Sequence, residues 1–572
     1  MDTHSNDGPC SWAWRKLALP FGFSLSVCTA AVLGVIGCAA TTITCQDNGG
    51  LQRPTRLEVP KEFDQNLWLE PSQAGLVASE LPPGLAVVPP GFHLSLILRG
   101  RVQDGVLKHA SQLPHLEEVT VDGATGFSEE SLTTLLACPT LRRVTLDSCA
   151  VVGQSALKAL AENSTLCTLT ISKVPSISDD TIFGIATSQS ITTLTLTNLP
   201  SLSLASLPRL LDTMHVRTLV VGALASGSGD LSRLLNVATL RELGIDGYEL
   251  SGEFLVKAVE SPHIVSLELT DCKLGAGGSW RVPGSVNNTH LSRLSILGTH
   301  ACKLDPSVFS YCSRFENVRM VELGYLSDSD GAAPRALQGN NVECLSLRGC
   351  GVLSDVAFDS IGRLPKLRKL SIVGSSISGA IAPISFDNLT ELSIWDAESV
   401  GADFLSSLGK CGGLQSLEFH ACPTVDLDSL SFVEQLPMLR NLIVDGGGKS
   451  DSPRNLFKKL SRLSGLESLT LSGARTISSD AASALADLAG LKRISLRSAT
   501  LDKDALTAIA GLPALEILDL RYCRGITLSP TITKDDAAPF SRLKALFIRG
   551  SDCSKETTEW FKKRQSDLYV AY

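Results

Sequence analysis

Leu116, Leu141, Leu166, Ile191 and Val216 lie 25 residues apart, and each opens the same pattern, with further apolar residues at +3 and +5. The series continues through Leu240, Ile264, Leu291, Val318, Val342, Leu367, Leu389, Leu414, Leu439, Leu466, Leu491, Leu515 and Leu543, eighteen units at intervals of 22 to 28 residues. A nineteenth is read as starting at Gly91, with Leu94 and Leu96 at +3 and +5. This period overrides the expectation of about three or four separate domains that 572 residues would otherwise raise. A unit of this size cannot bury both its faces, so it must stack on its neighbours.

Within a unit, +3 and +5 share the two-residue period of a strand, pointing one way while +2, +4 and +6 point the other. A small or polar turn follows, then an apolar residue at +11, often with Ser and Asp after it, as in Ile177-Ser178-Asp179 and Leu353-Ser354-Asp355. Helical patterns rich in Ala and Leu, such as SALKALAEN and AASALADLAG, complete the unit. The expected fold is an α/β solenoid, a horseshoe of 18–19 units over 91–552 with a parallel sheet on the concave face and helices on the convex face.

The unit L-x-x-L-x-L-x-x-C-x-x-[I/L]-S-D resembles the cysteine-containing class of leucine-rich repeats. Cys149, Cys272, Cys350, Cys422 and Cys523 supply its +8 cysteine. That class is familiar from the substrate-recognition arms of F-box proteins and from repeat families of protists. The resemblance covers about residues 91–570 and implies a binding scaffold without naming what is bound. No F-box pattern precedes the repeats. Residues 46–90 are proline-rich and read as a linker running into an N-terminal cap, and 553–572 read as a C-terminal cap.

Residues 1–16 form a tail, and residues 17–45 carry no charge and are long enough to span a bilayer, with Arg15 and Lys16 directly before them. Three readings stay open: an uncleaved anchor, a cleaved signal with Gly37 and Ala39 at the −3 and −1 sites, and a lipidation signal at Val35-Ile36-Gly37-Cys38. All three put the repeats at or beyond a membrane, where the sequons at Asn163, Asn287 and Asn388 would be glycosylation acceptors.

Little in the chain points to catalysis or cofactors. A net charge of −8 excludes a globally basic nucleic-acid coat, and 5% aromatics argue against a stacking platform for single strands. Eleven of the sixteen cysteines fall among the repeats and a twelfth, Cys553, opens the cap, with no C-x-x-C pair and no zinc spacing, so they read as small buried apolar side chains rather than metal ligands. Cys344 at +2 is expected to face outward and react with alkylating agents, and Cys350 at +8 to resist them. LIVDGGGKSDSPRNLF imitates a phosphate loop around Lys449, but Ile443 stands where the motif's first glycine belongs, and the repeat register makes the glycines a turn. No catalytic residue, metal, cofactor or small-molecule substrate is expected.

The outward columns carry the remaining signal. At +4, Thr120, Thr145, Thr170, Thr195, Ser346, Ser371, Ser393, Thr470 and Ser495 form a hydroxyl ladder that suits strand pairing. At +6, Asp122 and Asp147 come early, then Trp395, His420 and Asp445 in consecutive units, with Asp396 beside Trp395. Arg497, Arg521 and Arg549 follow, with Tyr522 alongside. The arginines are read either as a solvated face relieved by Asp519 or as a site for an acidic partner, and Trp395 as a hot spot. The functional expectation is a non-catalytic, membrane-anchored or secreted protein that binds a protein partner, and no nucleic acid, through these residues. The alternative is a cytosolic substrate-recognition subunit of a ubiquitin ligase.

Overall fold

The computed structural model describes four short strands between Thr55 and Val88, then residues 92–553 apart from segments of which the longest are 275–289, 298–316, 325–340 and 527–541, and a last strand at Tyr569–Ala571. Residues 17–45, Asn287 and Lys449 lie outside the described residues.

From Phe92–Arg101 onward, one strand per unit pairs in parallel with the next, through Arg143–Asp147, Thr168–Ser172 and Thr193–Thr197 to Ile517–Asp519 and Ala545–Phe547. The chain is therefore an α/β solenoid built on one continuous parallel sheet. Most repeat strands cover +2 to +6, and strands such as Glu391–Trp395 and Ser416–His420 alternate half-buried and buried residues. The +3 and +5 side chains, with position 0, form one unbroken core: Leu389, Leu392, Ile394, Leu414, Leu417 and Phe419 are each no more than 1% exposed. Residues at the same repeat position sit directly opposite each other on neighbouring strands, as in Leu392↔Leu417 and Trp395↔His420.

The first unit corrects the sequence reading. Leu96 pairs with Val119 and Leu98 with Val121, so these are its +3 and +5 residues, and position 0 is His93 rather than Gly91. Leu94, Leu96 and Leu98 are all fully buried, and a two-residue slip keeps every side chain on its own face, so alternation alone cannot choose between the registers. The pairing also shifts between Leu94 and Ser95. Part of the stretch read as a linker is strand: Leu67–Pro71 pairs antiparallel with Phe92–Arg101 and covers the first edge of the parallel sheet. At the other end Tyr569–Ala571 adds a strand beside Ala545–Phe547.

A recurring backbone device ends each strand. In every unit where it is described, the +7 residue has positive φ, from Gly100 to Gly550, and the position is not reserved for glycine: Lys173, Asn198, Asp396, Ala421 and Tyr522 occupy it at φ between 51° and 61°. The left-handed residue turns the chain out of the sheet, and its N–H bonds the next unit's +6 carbonyl, as in Lys173 to Thr197 (3.1 Å), Asp396 to His420 (2.8 Å) and Tyr522 to Arg549 (2.9 Å). The +8 thiols lie beneath this turn. Cys272, Cys422 and Cys523 donate to the +5 carbonyl of the preceding unit, at Ile245 (3.4 Å), Ile394 (3.5 Å) and Leu496 (2.7 Å).

The return path is less uniform. Gln154–Glu162 is an α-helix burying Ala156, Leu157, Ala159 and Leu160, whereas only the first three residues of AASALADLAG are α-helical, at the end of the five-residue helix Ser479–Ser483. Thr181–Ile185, Leu231–Asn236 and Ser429–Gln435 are 3-10 turns. At the end of the first of these helices, Asn163 is buried, donating its amide hydrogens to the carbonyls of Leu136 (3.3 Å) and Cys138 (2.8 Å) while its oxygen accepts from the Thr165 N–H and hydroxyl. With both amide hydrogens engaged in the interior, Asn163 has no place for a glycan, which overturns that expectation. Asn388 is exposed.

Ala421 tests the left-handed turn, because it is exposed and its φ is 51°. Ala421→Val should lower stability by about 1–2 kcal/mol, since a β-branched residue is strained there, while Ala421→Gly should be neutral or raise it slightly. Urea unfolding midpoints of the two variants against wild type check the direction.

Candidate partner-binding face

Because equivalent residues align across the sheet, the +6 positions form one continuous row on the face opposite the helices. Trp395 and His420 are neighbours in this row and stack with ring centroids 3.6 Å apart and planes 11° from parallel. Both are half-buried. The next member, Asp445, lies directly beside His420. Asp396 follows Trp395 at the left-handed position and is exposed.

Below the stack lies Glu418, which the sequence reading passed over. One of its oxygens accepts from Ser416 (3.0 Å) and Asn441 (2.9 Å), and the other lies 3.4 Å from His420 Nε2. These bonds fix the imidazole, which in turn backs the indole. The signal in the sequence is an acid two residues before His420, at a +4 position where many other units carry Ser or Thr.

The arginines are tied together by Asp519, a +4 residue only 3% exposed. Arg521 grips it twice, Nε to Oδ1 at 3.0 Å and a terminal nitrogen to Oδ2 at 2.8 Å, and Arg497 Nε approaches Oδ2 at 3.3 Å. Arg497 also reaches back to Asp445 at 3.6 Å. Burial alone would raise the Asp519 carboxyl, but the hydrogen bonds and charge of Arg521, with the charge of Arg497, outweigh it and hold the group below its ordinary value. The structure thus supports the reading in which Asp519 relieves the repulsion between Arg497 and Arg521. Arg521 further lies over the Phe547 ring at 5.8 Å. Arg549 is exposed, and Tyr522 is 57% exposed at φ 61°, which makes it a large ring presented from a left-handed backbone.

Between the Trp395 stack and the strand Cys344–Leu353, small residues open a cavity of about 240 Å³. Its floor includes Ser346, Ser371 and Ser393, and Ser393 Oγ donates to Ser371 Oγ at 3.0 Å, one rung of the expected hydroxyl ladder. At one end Arg348 donates to Glu322 at 3.0 Å, and Arg293 is 4.0 Å from the same carboxylate. Glu268 lies near this group, and burial followed by the charge of Glu322 pushes its carboxyl above its ordinary value. At the other end Lys369 pairs with Glu391 at 2.8 Å. The early +6 positions lie far along the row. There the register change brings in Arg99, which pairs with Asp122 at 2.9 Å.

Cys344 and Cys350 do face different surroundings. Cys350 is buried, and Cys344 is half-buried in the cavity wall. Burial pushes the Cys344 thiol up to about 11, which corrects the expectation that it reacts readily, because the thiolate is the attacking species.

No family model matches the chain, and no curated protein matches it. Solved structures do align with it. One is a leucine-rich-repeat protein of Leptospira interrogans, LIC12759, at 14% identity over 83% of this chain and 100% of its own, with a TM-score of 0.38. Another is the TLR13–ssRNA13 complex, at 13% identity over 83% of this chain and 84% of its own, with a TM-score of 0.41. A third is an internalin, InlF, of Listeria monocytogenes, at 15% identity over 68% and 88%, with a TM-score of 0.30. The solenoid architecture rests on the chain's own strand register.

Two measurements check the electrostatics. Asp519→Asn should destabilise the C-terminal units by about 3 kcal/mol at neutral pH, because it leaves two partly buried guanidinium groups without their carboxylate. A carboxyl depressed in the folded state contributes stability that is present above its unfolded value and lost as pH falls through the folded one, so the gap between wild type and variant should shrink below about pH 4. Alkylation at pH 8, read by peptide mapping, should modify Cys344 roughly a hundredfold more slowly than an exposed thiol and Cys350 only on unfolding.

Proposed function

We propose that this is a non-catalytic protein-binding repeat protein that recognises a partner through the face opposite its helices, with Trp395, Asp396 and His420 at the centre of contact. The observation that carries this reading is the Trp395–His420 stack at the rim of a cavity, backed by Glu418. A large ring fixed in place loses little conformational freedom on binding and contributes much area, which is how hot spots work. Asp445, Arg497, Arg521, Tyr522 and Arg549 extend the contact along the same row, where alternating charge favours a partner of complementary polarity.

We further propose that the protein is membrane-anchored or secreted. Support comes from the uncharged stretch at 17–45 and from the exposed side chain of Asn388 in its sequon. Among the described residues no helix is long and apolar enough to cross a membrane. The ubiquitin-ligase alternative rests on the repeat class alone, and no observation of the site favours it.

A photo-crosslinking residue placed at Asp445, on the row two strands from Trp395 and outside the cavity lining, should capture a partner, and one at Lys158 on the helical side should not. Equal capture from both would sink the proposed face. Trp395→Ala combined with Arg521→Glu should lower capture at least about tenfold without changing the far-UV spectrum. For the location, carbonate extraction and a glycosidase mobility shift should show a membrane or lumenal glycoprotein; unglycosylated full-length chain in the soluble cytosol overturns it.

A further inference from the structure

Among the described residues, two polar atoms of the cavity beside Trp395 have no hydrogen-bond partner. Ser346 is only 5% exposed, and its Oγ, buried in the cavity floor, makes no hydrogen bond. On the same strand and the same face, Arg348 gives one terminal nitrogen to Glu322, while its buried Nε–H bonds nothing. Buried polar groups are nearly always satisfied, so two orphan donors two residues apart, both lining one cavity, call for an acceptor brought by something else. A carbonyl oxygen placed between them would complete both.

The opposite end of the cavity has the reverse character. Asp396 follows Trp395 and Glu418 lies on the next strand, and among the described residues neither pairs with a lysine or arginine; Glu391, at the start of Trp395's own strand, is neutralised by Lys369 at 2.8 Å. Glu418 is bonded instead by Ser416, Asn441 and His420. A second carboxylate at this end would be repelled, whereas a cation is favoured both by the acids and by the indole face that His420 leaves uncovered. Between the two ends the floor is uncharged: Ser371, Ser393 and Val373. Strands 344–348 and 391–395 are two ladder steps apart, about 10 Å, which matches an extended arginine from its own peptide carbonyl to its guanidinium.

We propose that the cavity is a side-chain pocket for an arginine of the partner, its backbone carbonyl accepting from Ser346 Oγ and Arg348 Nε. The methylene stem lies over Val373, and the guanidinium sits among Trp395, Asp396 and Glu418. This rests on the proposed binding face and narrows it to a partner that presents a basic residue in an extended segment. The charge separation along the cavity gives the bound residue its direction.

The test uses the full chain and a small probe, N-acetyl-arginine methylamide, followed by calorimetry and saturation-transfer NMR. It should bind with a Kd in the millimolar range, as suits a fragment of this size, and at least about tenfold more tightly than its citrulline analogue, which keeps the shape and loses the charge. Val373→Trp fills the cavity from a half-exposed position and should abolish binding, and Ser346→Ala should weaken it several-fold with the folded spectrum unchanged. If Val373→Trp does not fold, Asp396→Asn takes its place, with the same direction expected. Equal binding of citrulline, preference for a glutamate analogue, or no saturation at about 50 mM overturns the pocket. These outcomes leave the crosslinking result untouched, since crosslinking reports a protein on the face whatever the cavity holds.

Discussion

Everything in this molecule depends on neighbouring strands being held at zero offset by the apolar residues at +3 and +5. A parallel ladder supplies hydrogen bonds at any even slip, so the backbone alone does not fix register. Leu392 against Leu417 and Ile394 against Phe419 do fix it, because each is fully enclosed by the corresponding residues of the next unit. Removing one such leucine costs about 2–5 kcal/mol in a closely packed interior, and the cost falls on two interfaces at once. The consequence for function is geometric: repeat position becomes spatial row, and residues some 25 positions apart in the chain become neighbours on a surface.

The turn at +7 lets that row vary freely. The turn needs a left-handed backbone and an N–H for the next unit's carbonyl, and it takes glycine, asparagine, aspartate, alanine, lysine, serine or even tyrosine to provide them. Each non-glycine residue there carries some strain, which the ladder on one side and the buried +8 residue on the other hold in place. Thiols suit +8 because a small, weakly polar group can fill the space under the turn and donate to a carbonyl of the preceding unit. Side chains at +6 are therefore released from structural duty, and this is where Trp395, His420 and the arginines stand.

Charge on the face is arranged in neutralised groups rather than in bare patches. Asp519 holds Arg497 and Arg521, Glu322 holds Arg348 and approaches Arg293, and Glu391 holds Lys369. Such pairs contribute little net stability once desolvation is counted, but they set the orientation of the guanidinium groups and limit which partners can approach without penalty. The departures from this rule lie around the central cavity, where Ser346 and Arg348 keep unbonded polar atoms and where, among the described residues, Asp396 and Glu418 near Trp395 pair with no lysine or arginine. That contrast directs the functional reading to the middle of the sheet more than to its arginine-rich end.

The sequence by itself determined the repeat, the inward and outward faces and the columns, because a period of about 25 residues imposed on a two-residue alternation leaves few other ways to bury so many leucines. From those columns Trp395, His420 and Asp445 could be placed side by side, and Asp519 could be paired with the arginines. Only the tertiary structure decided the rest. The first unit's register was ambiguous because a two-residue slip preserves facing, and Asn163 read as a surface sequon until its amide proved to cap the interior of the preceding turn. Cys344 read as reactive because orientation is written in the alternation, whereas desolvation depends on the side chains of neighbouring strands. The cavity was invisible for the same reason: it is a relation among residues of six strands, made by small side chains where larger ones flank them, and no single unit contains it.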